Sequence, residues 1–487
     1  MTTTDGASAA IAPEPHNGSG PVATADDVTT IPARNSWEDG QTAAASACSH
    51  PIRLTGRITA IDRATGHSAD LFRTWTEYQV PAAPGHTETV RADDPLLVDC
   101  GNRREEICPH CSGVYKRDAR QVVLSGLTGG KGVPGTVAEH PCVFATFTAP
   151  SFGPVHARRE RNGKVLPCRP RRDASKRACP HGRDISCNVR HSPDDPRLGR
   201  PMCPDCYDYE SAVTFNAFAP KLWQRFLTYL PRHLARVAGI RVKDCRELVR
   251  HRCVKVSEYQ LRGVVHFHAV IRLDANTKDP AAFAHPGPHW TAEMLAQAIK
   301  GAAAQASALV PVGNTGRTLL LRFGAESGFA DTRIVRTGTA AAISREAVAN
   351  YIAKYVTKAV GIPGMPKFRI RHAADIASLR CSAHHRQMIE TAHRLGFRRY
   401  AHQLGYGGHP ITKSRRYSVT FARIRQERAA YRKAQRWPDG ELDPWGRPLD
   451  ERIVLVVKDF TYAGTGYTPR TPGAELALAS ADLALGG

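Results

Sequence analysis

Cysteine placement constrains this 487-residue chain more than any other feature. Thirteen cysteines are present, and two pairs have CxxC spacing, Cys108-Pro-His-Cys111 and Cys203-Pro-Asp-Cys206. A CxxC turn aims two thiolates at one tetrahedral ion, and zinc takes four such ligands. Cys100 and, further upstream, Cys48 complete the first pair. Cys187 and Cys179 are the partners for the second, with His181, His191 and Cys168 as alternatives. Neither pair stands in a βαβ context, which favours metal over a thioredoxin-like redox centre. All-cysteine sites leave no open position for a substrate, so two structural Zn²⁺ sites are expected. Cys245, Cys253 and Cys381 then need be no more than small core residues.

Charge narrows the partners. Lys and Arg number 67 against 45 Asp and Glu, a formal net charge of +22. Such a balance selects a polyanion, either nucleic acid or an anionic membrane surface. No apolar run approaches the ~18 residues needed to span a bilayer, and the start, MTTTDGASAA, has neither the basic nor the apolar part of a signal peptide. A cytoplasmic protein with no membrane partner is expected. Hydrophobic residues make up 42%, enough to bury a core and to exclude wholesale disorder.

Along the chain, residues 1–45 lack any hydrophobic period and read as a disordered tail. Residues 53–62 alternate like a strand. HPCVFATFTAP (140–150) reads as a buried strand, and 217–238 as an amphipathic helix with Leu222, Phe226, Leu230 and Leu234 at intervals of four. Residues 250–274 read as two strands joined near Arg262-Gly263, and 345–360 as a second amphipathic helix. Residues 394–436 hold twelve Lys/Arg and one acid, half of the chain's excess charge. A basic helix over 420–435 is expected there, with a weakly ordered tail at 437–487.

Two constellations carry chemistry. His266-Phe267-His268 lies in an apolar strand, so both imidazoles share one face. If the turn near Gly263 closes a hairpin, Glu258 reaches that face. Two imidazoles and a carboxylate with open positions suit Mg²⁺ or Mn²⁺ acting on a phosphate. The second constellation is a YxxKYxxK helix. Tyr351 and Tyr355 stack on one helical face, and Lys354 and Lys358 follow each by three residues. A nearby ammonium favours a phenolate or stabilises charge on a phosphate. No Walker A loop is present: SGLTGGKG (125–132) lacks the hydroxyl residue after Lys131.

FATFT, then Glu-x7-HxH, then YxxKYxxK, in a strongly basic chain, form the motif series of HUH endonucleases. CGNRREEICPHCSGVYKRDA, GGKGVP, TAPSFGPVH, CPDCYDY, RGVVHFHAVIRLD, YIAKYVTK and GHPITKSRRYS resemble the RepSA-type rolling-circle initiators of actinobacterial plasmids and integrative elements. The likeness covers roughly residues 45–435. It implies an α+β fold: an HUH-type antiparallel sheet flanked by helices, with cysteine-rich zinc modules and a basic helical C-terminal region. It also implies a catalytic divalent metal held by His266, His268 and Glu258, and a nucleophile at Tyr351 or Tyr355, with a slight preference for Tyr351.

The expected organisation is a four-cysteine zinc module at 46–120, the endonuclease domain at 140–365 with a zinc-binding insertion at 168–206, and a basic DNA-binding region at 366–436. Lys413, Arg415, Arg416, Arg423 and Arg425 would meet DNA phosphates. The implied activity is metal-dependent nicking of plasmid origin DNA by tyrosine transesterification. It would leave a 5′-phosphotyrosine and a 3′-OH primer, with unwinding supplied by a host helicase. The alternatives are a non-catalytic zinc-ribbon DNA-binding regulator, or an HUH transposase or relaxase.

Overall fold

The computed structural model describes residues 47–83, 86–93, 95–170, 178–279, 283–335, 343–358, 365–366, 368–436, 446 and 454–467. The expected tail at 1–45 lies outside them. The chain divides into two compact units, Met1–Asp99 with Gly440–Gly487, and Cys100–Asp439. That division falls inside the expected module at 46–120. Cys48 belongs to the smaller unit, and Cys100, Cys108 and Cys111 to the larger.

In the smaller unit, strand β1 (Ile52–Asp62) pairs antiparallel with β2 (Ser68–Arg73). A hairpin of β3 (Trp75–Ala83) and β4 (His86–Asp93) follows, and β5 (Leu96–Val98) returns to β1. Ile58, Phe72 and Leu96 form its small core. The weakly ordered tail expected at 437–487 is corrected over residues 454–465, while 437–445, 447–453 and 468–487 lie outside the described residues. Residues 454–465 form a strand along the whole of β1, from Ile52 opposite Thr465 to Asp62 opposite Val454. VLVVKDFTYAGT is rich in β-branched and aromatic residues, a strand composition that the surrounding Gly and Pro conceal.

The larger unit is a sheet with helices on both faces. Its strands are β6 (Cys142–Phe147), β9 (Val249–Tyr259), β10 (Val265–Ala275), β13 (Asp331–Ile334) and β14 (Ile411–Lys413), in the order β13-β6-β10-β9-β14. All four pairings are antiparallel. A short hairpin of β7 (Arg159–Arg161) and β8 (Lys164–Leu166) leaves the chain after β6, and β11 (Ser307–Pro311) pairs with β12 (Thr318–Arg322). The helices used below are α1 (Pro109–Thr128), α2 (Tyr209–Val237), α3 (Ala292–Gln305), α4 (Arg345–Lys358), α5 (Ala383–Arg394) and α6 (Phe421–Arg436).

β10 is buried on both faces, as its near-continuous apolar run requires. Phe267, Ala269, Ile271 and Leu273 face one core with Leu222, Phe226 and Leu230 of α2 and Leu295 and Ile299 of α3. Val270 faces the other, with Val123 and Leu127 of α1 and Val348 and Ile352 of α4. On that second side Arg272 is fully buried. Its guanidinium donates to both Asp274 oxygens at 2.7 and 2.9 Å, and His140 Nδ1 meets the same carboxylate at 2.8 Å, so the buried charge is matched.

The β9–β10 turn is pinned from outside. Asn216 of α2 donates from Nδ2 to the carbonyls of Gly263 and Leu404, both at 2.9 Å, and accepts the Val265 N–H at 2.9 Å. Gly263 adopts φ 75°, which a Cβ would strain. α2 starts where the Asp208 carboxylate caps the Ser211 N–H at 2.9 Å, eight residues before the expected start.

The sheet does not end at 365. β14, within GHPITKSRRYS, is its edge strand, and Tyr417 of the same segment is fully buried, donating to the Val123 carbonyl at 3.1 Å. The region 366–436 is therefore part of the sheet domain, not a separate appendage.

Candidate metal and nucleotidyl-transfer site

Register decides the site. In the β9–β10 pair His266 lies directly opposite Glu258, and His268 opposite Val256. Glu258 Oε2 sits 2.9 Å from His266 Nε2 and 3.0 Å from His268 Nε2. The three donor atoms converge closely enough to hold one ion. The side chains of His266 and Glu258 are 14% and 20% exposed, so one side of the cluster is open, while that of His268 is 4% exposed. Burial lowers the His268 pKa and favours the neutral imidazole, with Glu258 opposing. Burial works to raise the Glu258 pKa. The hydrogen bonds from His266 and His268 outweigh it and keep the carboxyl below its ordinary value.

Residues of the FATFT strand hold His268. Thr146 lies opposite it on β6 and its Oγ1 is hydrogen-bonded to Nδ1 at 3.0 Å. Phe144 stacks on the imidazole, with centroids 5.7 Å apart and planes 8° apart. Tyr351 of α4 meets both rings edge-on, at 5.0 Å from His268 and 5.5 Å from Phe144. Its Oη is 3.5 Å from His268 Nε2. Lys354 is exposed. The side chains of Tyr355 and Lys358 lie outside the description. Thr146 and Phe144 belong to the FATFT motif, but their positions beside His268 follow from strand order, which spacing does not encode.

The cysteine clusters sort differently from expectation. Cys100, Cys108 and Cys111 converge, with Cys100 Sγ and Cys111 Sγ 3.7 Å apart. Two sulfurs on one tetrahedral zinc lie about 3.8 Å apart. Cys203 and Cys206 converge with Cys179 and with His181, whose Nδ1 is 3.1 Å from Cys206 Sγ. Burial opposes the Cys179 thiolate, yet the N–H groups of Arg183 and His181 and the neighbouring thiols lower its pKa to about 6. Cys187 is the correction. It lies with His156, Cys168 and His191, not with Cys179, Cys203 and Cys206. His156 closes the TAPSFGPVH motif, but nothing in its spacing ties it to Cys168, Cys187 and His191.

Of the expected DNA contacts, Lys413 is the least available. Its ammonium donates to the carbonyls of Ser414, Arg415 and Ser418 at 3.3, 3.2 and 2.9 Å, and burial lowers its pKa. Arg415, Arg423 and Arg425 are exposed, Arg423 pairing with Glu427 at 3.0 Å, and Arg416 is partly buried. Among the described residues, no helix is long and apolar enough to cross a membrane.

Sheet, triad and cysteine clusters define a class: a basic, mixed α/β protein, antiparallel in its paired strands, with several groups that could hold metal ions. The family described as RepSA, replication initiator protein, pSAM2, matches residues 34–482. A replication initiator protein of Streptomyces ambofaciens is 38% identical over 455 residues, covering 91% of this chain and 89% of that protein. The chain belongs to the RepSA family of replication initiators. No solved structure matches it.

Proposed function

We propose that the chain initiates rolling-circle replication as an HUH-type endonuclease, nicking plasmid origin DNA with a tyrosine. The observation that carries this reading is the meeting of Glu258, His266 and His268 with the Tyr351 hydroxyl 3.5 Å from His268. Three convergent donors on an open side fit a hard divalent ion such as Mg²⁺ or Mn²⁺. When bound there, that ion supplies Lewis-acid polarisation of the scissile phosphate.

The chain's own residues do the rest. Thr146 Oγ1 fixes the His268 ring through Nδ1, so that Nε2 faces the cluster. Phe144 and the α4 backbone hold Tyr351 in place. Its Oη forms the new bond to phosphorus, and the phenol's proton passes through solvent to the departing 3′ oxygen. The P–O3′ bond breaks, and the 3′ oxygen leaves as a hydroxyl that primes synthesis. The phosphodiester energy stays in the 5′-phosphotyrosine, so the step needs no ATP. Tyr355 is the candidate for a second transfer, with Lys354 and Lys358 offering charge to the phosphate. Arg415, Arg416, Arg423 and Arg425 contact backbone phosphates, and a host helicase unwinds the duplex. Zinc at Cys100, Cys108 and Cys111, with Cys48 the sequence's candidate for a fourth ligand, and at Cys179, His181, Cys203 and Cys206 is structural.

A covalent-capture assay tests this. Purified protein is mixed with supercoiled plasmid carrying its gene, with Mn²⁺ or Mg²⁺, and denatured in SDS. A metal-dependent protein–DNA adduct is expected, lost in His268→Ala and in Tyr351→Phe. Loss in Tyr355→Phe alone would move the nucleophile to Tyr355. No adduct with DNA binding intact would overturn the nuclease in favour of a non-catalytic DNA-binding regulator.

A further inference from the structure

Between Phe152 and Tyr207, the buried residues among those described are Cys168, Cys179, Cys187, His191, Gly199 and Cys203. Apart from the glycine, each has a side chain that can bind metal. Among the described residues of this segment no aliphatic or aromatic side chain is fully buried, and Val155 packs only partly against the sheet's core, so hydrophobic burial supplies little of the drive to fold it. The Cys179 cluster accounts for only part of it. Cys168, Cys187 and His191 remain, and they meet His156, with one ligand atom of each within 4.8 Å of the others.

We infer that His156, Cys168, Cys187 and His191 form a further Zn²⁺ site, separate from the cluster that holds the second CxxC pair. Its inner geometry suits zinc. Cys187 Sγ and His191 Nε2 are 3.5 Å apart, and a sulfur and a nitrogen on one tetrahedral zinc lie about 3.5 Å apart.

Its surroundings are those of a ligand set. His191 Nδ1 is 2.7 Å from Asp195 Oδ2, and that carboxylate is held by Arg197 through Nε at 3.1 Å and Nη2 at 2.8 Å. A carboxylate on the far nitrogen orients a ligand imidazole and raises its basicity. The Ala157 N–H donates to Cys168 Sγ at 3.2 Å. His156 Nδ1 is buried and has no hydrogen-bond partner among the described residues.

The site closes three passes of the chain. Cys187 lies opposite Arg169, the neighbour of Cys168, in a bridge in which Arg169 N donates to Cys187 O at 2.7 Å and Cys187 N to Arg169 O at 2.9 Å. His156 is held between Gly199 and Arg200 by a second pair of backbone hydrogen bonds. His156 and Cys168 also bracket the β7–β8 hairpin, whose Arg159, Arg161 and Lys164 are exposed. Zinc here would pin the base of that basic hairpin.

The test is independent of nicking. The full-length protein is exchanged with ¹¹³Cd²⁺ and its cadmium resonances recorded. A resonance in the two-sulfur, two-nitrogen range, beside the sulfur-rich ones, is expected. Only sulfur-rich resonances would overturn the site. Zinc content of Cys168→Ser/Cys187→Ser should fall by one ion per chain relative to wild type, and trypsin should cut the hairpin faster. Unchanged zinc content would overturn the inference, as would an intact mass showing a Cys168–Cys187 disulfide. Should the double variant not fold, the cadmium spectrum of the wild type decides alone.

Discussion

The β9–β10 hairpin and the segment between Phe152 and Tyr207 both gather metal-binding side chains, on opposite physical terms. The hairpin is embedded in apolar packing. Val270 and Ile271 are fully buried in the two cores that flank the sheet, and Glu258 and the imidazoles are added to a structure that stands without them. The segment has the reverse arrangement, because its buried side chains among the described residues are those that could hold metal. On the proposed zinc sites, the same chemistry is surplus to folding in one region and responsible for folding in the other. On that proposal, a ligand lost from the sheet should cost activity, and one lost from the segment should cost structure.

The largest effect expected is on the sheet. On the proposed function, Glu258→Gln should lower nicking at least ~100-fold, because it removes the anionic ligand proposed for the divalent ion, while thermal unfolding stays within about 2 °C of wild type. A large fall in melting temperature would collapse the comparison. Cys203→Ser should do the opposite. Losing a structural ligand should cost several kcal/mol locally, seen as rapid trypsin cleavage between 153 and 206, while β9 and β10 keep their slow amide exchange.

The apolar sheet also carries Lys255, 4% exposed, with its ammonium 3.1 Å from Ser257 Oγ and 3.9 Å from the Phe267 ring centroid. Burial lowers its pKa from 10.5 to about 7. The unfolded chain keeps this proton well above the pH at which the native protein releases it, so native stability rises with pH between those values. Lys255→Met should flatten that rise, read from denaturant midpoints between pH 7 and 10. An equal slope in both proteins would show the ammonium is satisfied where it lies.

Two smaller effects sharpen the boundary between the regions. Gly199 has φ 81°, and a Cβ there would stand 2.3 Å from the Leu261 carbonyl carbon in the β9–β10 turn. Gly199→Ala should cost about 2 kcal/mol by urea unfolding and lower nicking as well, since it pushes on the turn. An effect on stability alone would show that the segment does not position the hairpin. Thr146→Val should leave the sheet intact and weaken Mn²⁺ binding about 10-fold by calorimetry. Unchanged affinity would remove Thr146 from the site.

Much of the sheet site was legible beforehand. The period of two in His266-Phe267-His268 puts both rings on one face, and the Gly263 turn brings Glu258 opposite His266. Periodicity also marked α2 and α4, whose apolar stripes face the sheet. These are local regularities, set by backbone geometry over a few residues, and the order of residues encodes them directly. The strand at 454–465 escaped because its partner, β1, lies about four hundred residues earlier in the chain.

What the sequence determined by itself was the chemistry: which side chains could bind metal, where a tyrosine helix lay, and a cationic excess that suits a polyanion. Only the tertiary structure decided the groupings. It put β6 beside β10, which gave His268 its Thr146 and Phe144 neighbours, and it set Tyr351 rather than an unrelated ring against the imidazole. It also parted Cys187 from the CxxC pair at Cys203 and Cys206 and gave it to His156. Four-ligand sites made from separate loops satisfy the same spacing rules in several combinations. The choice among them rests on which backbone passes cross in space, and that depends on contacts between residues far apart in the chain.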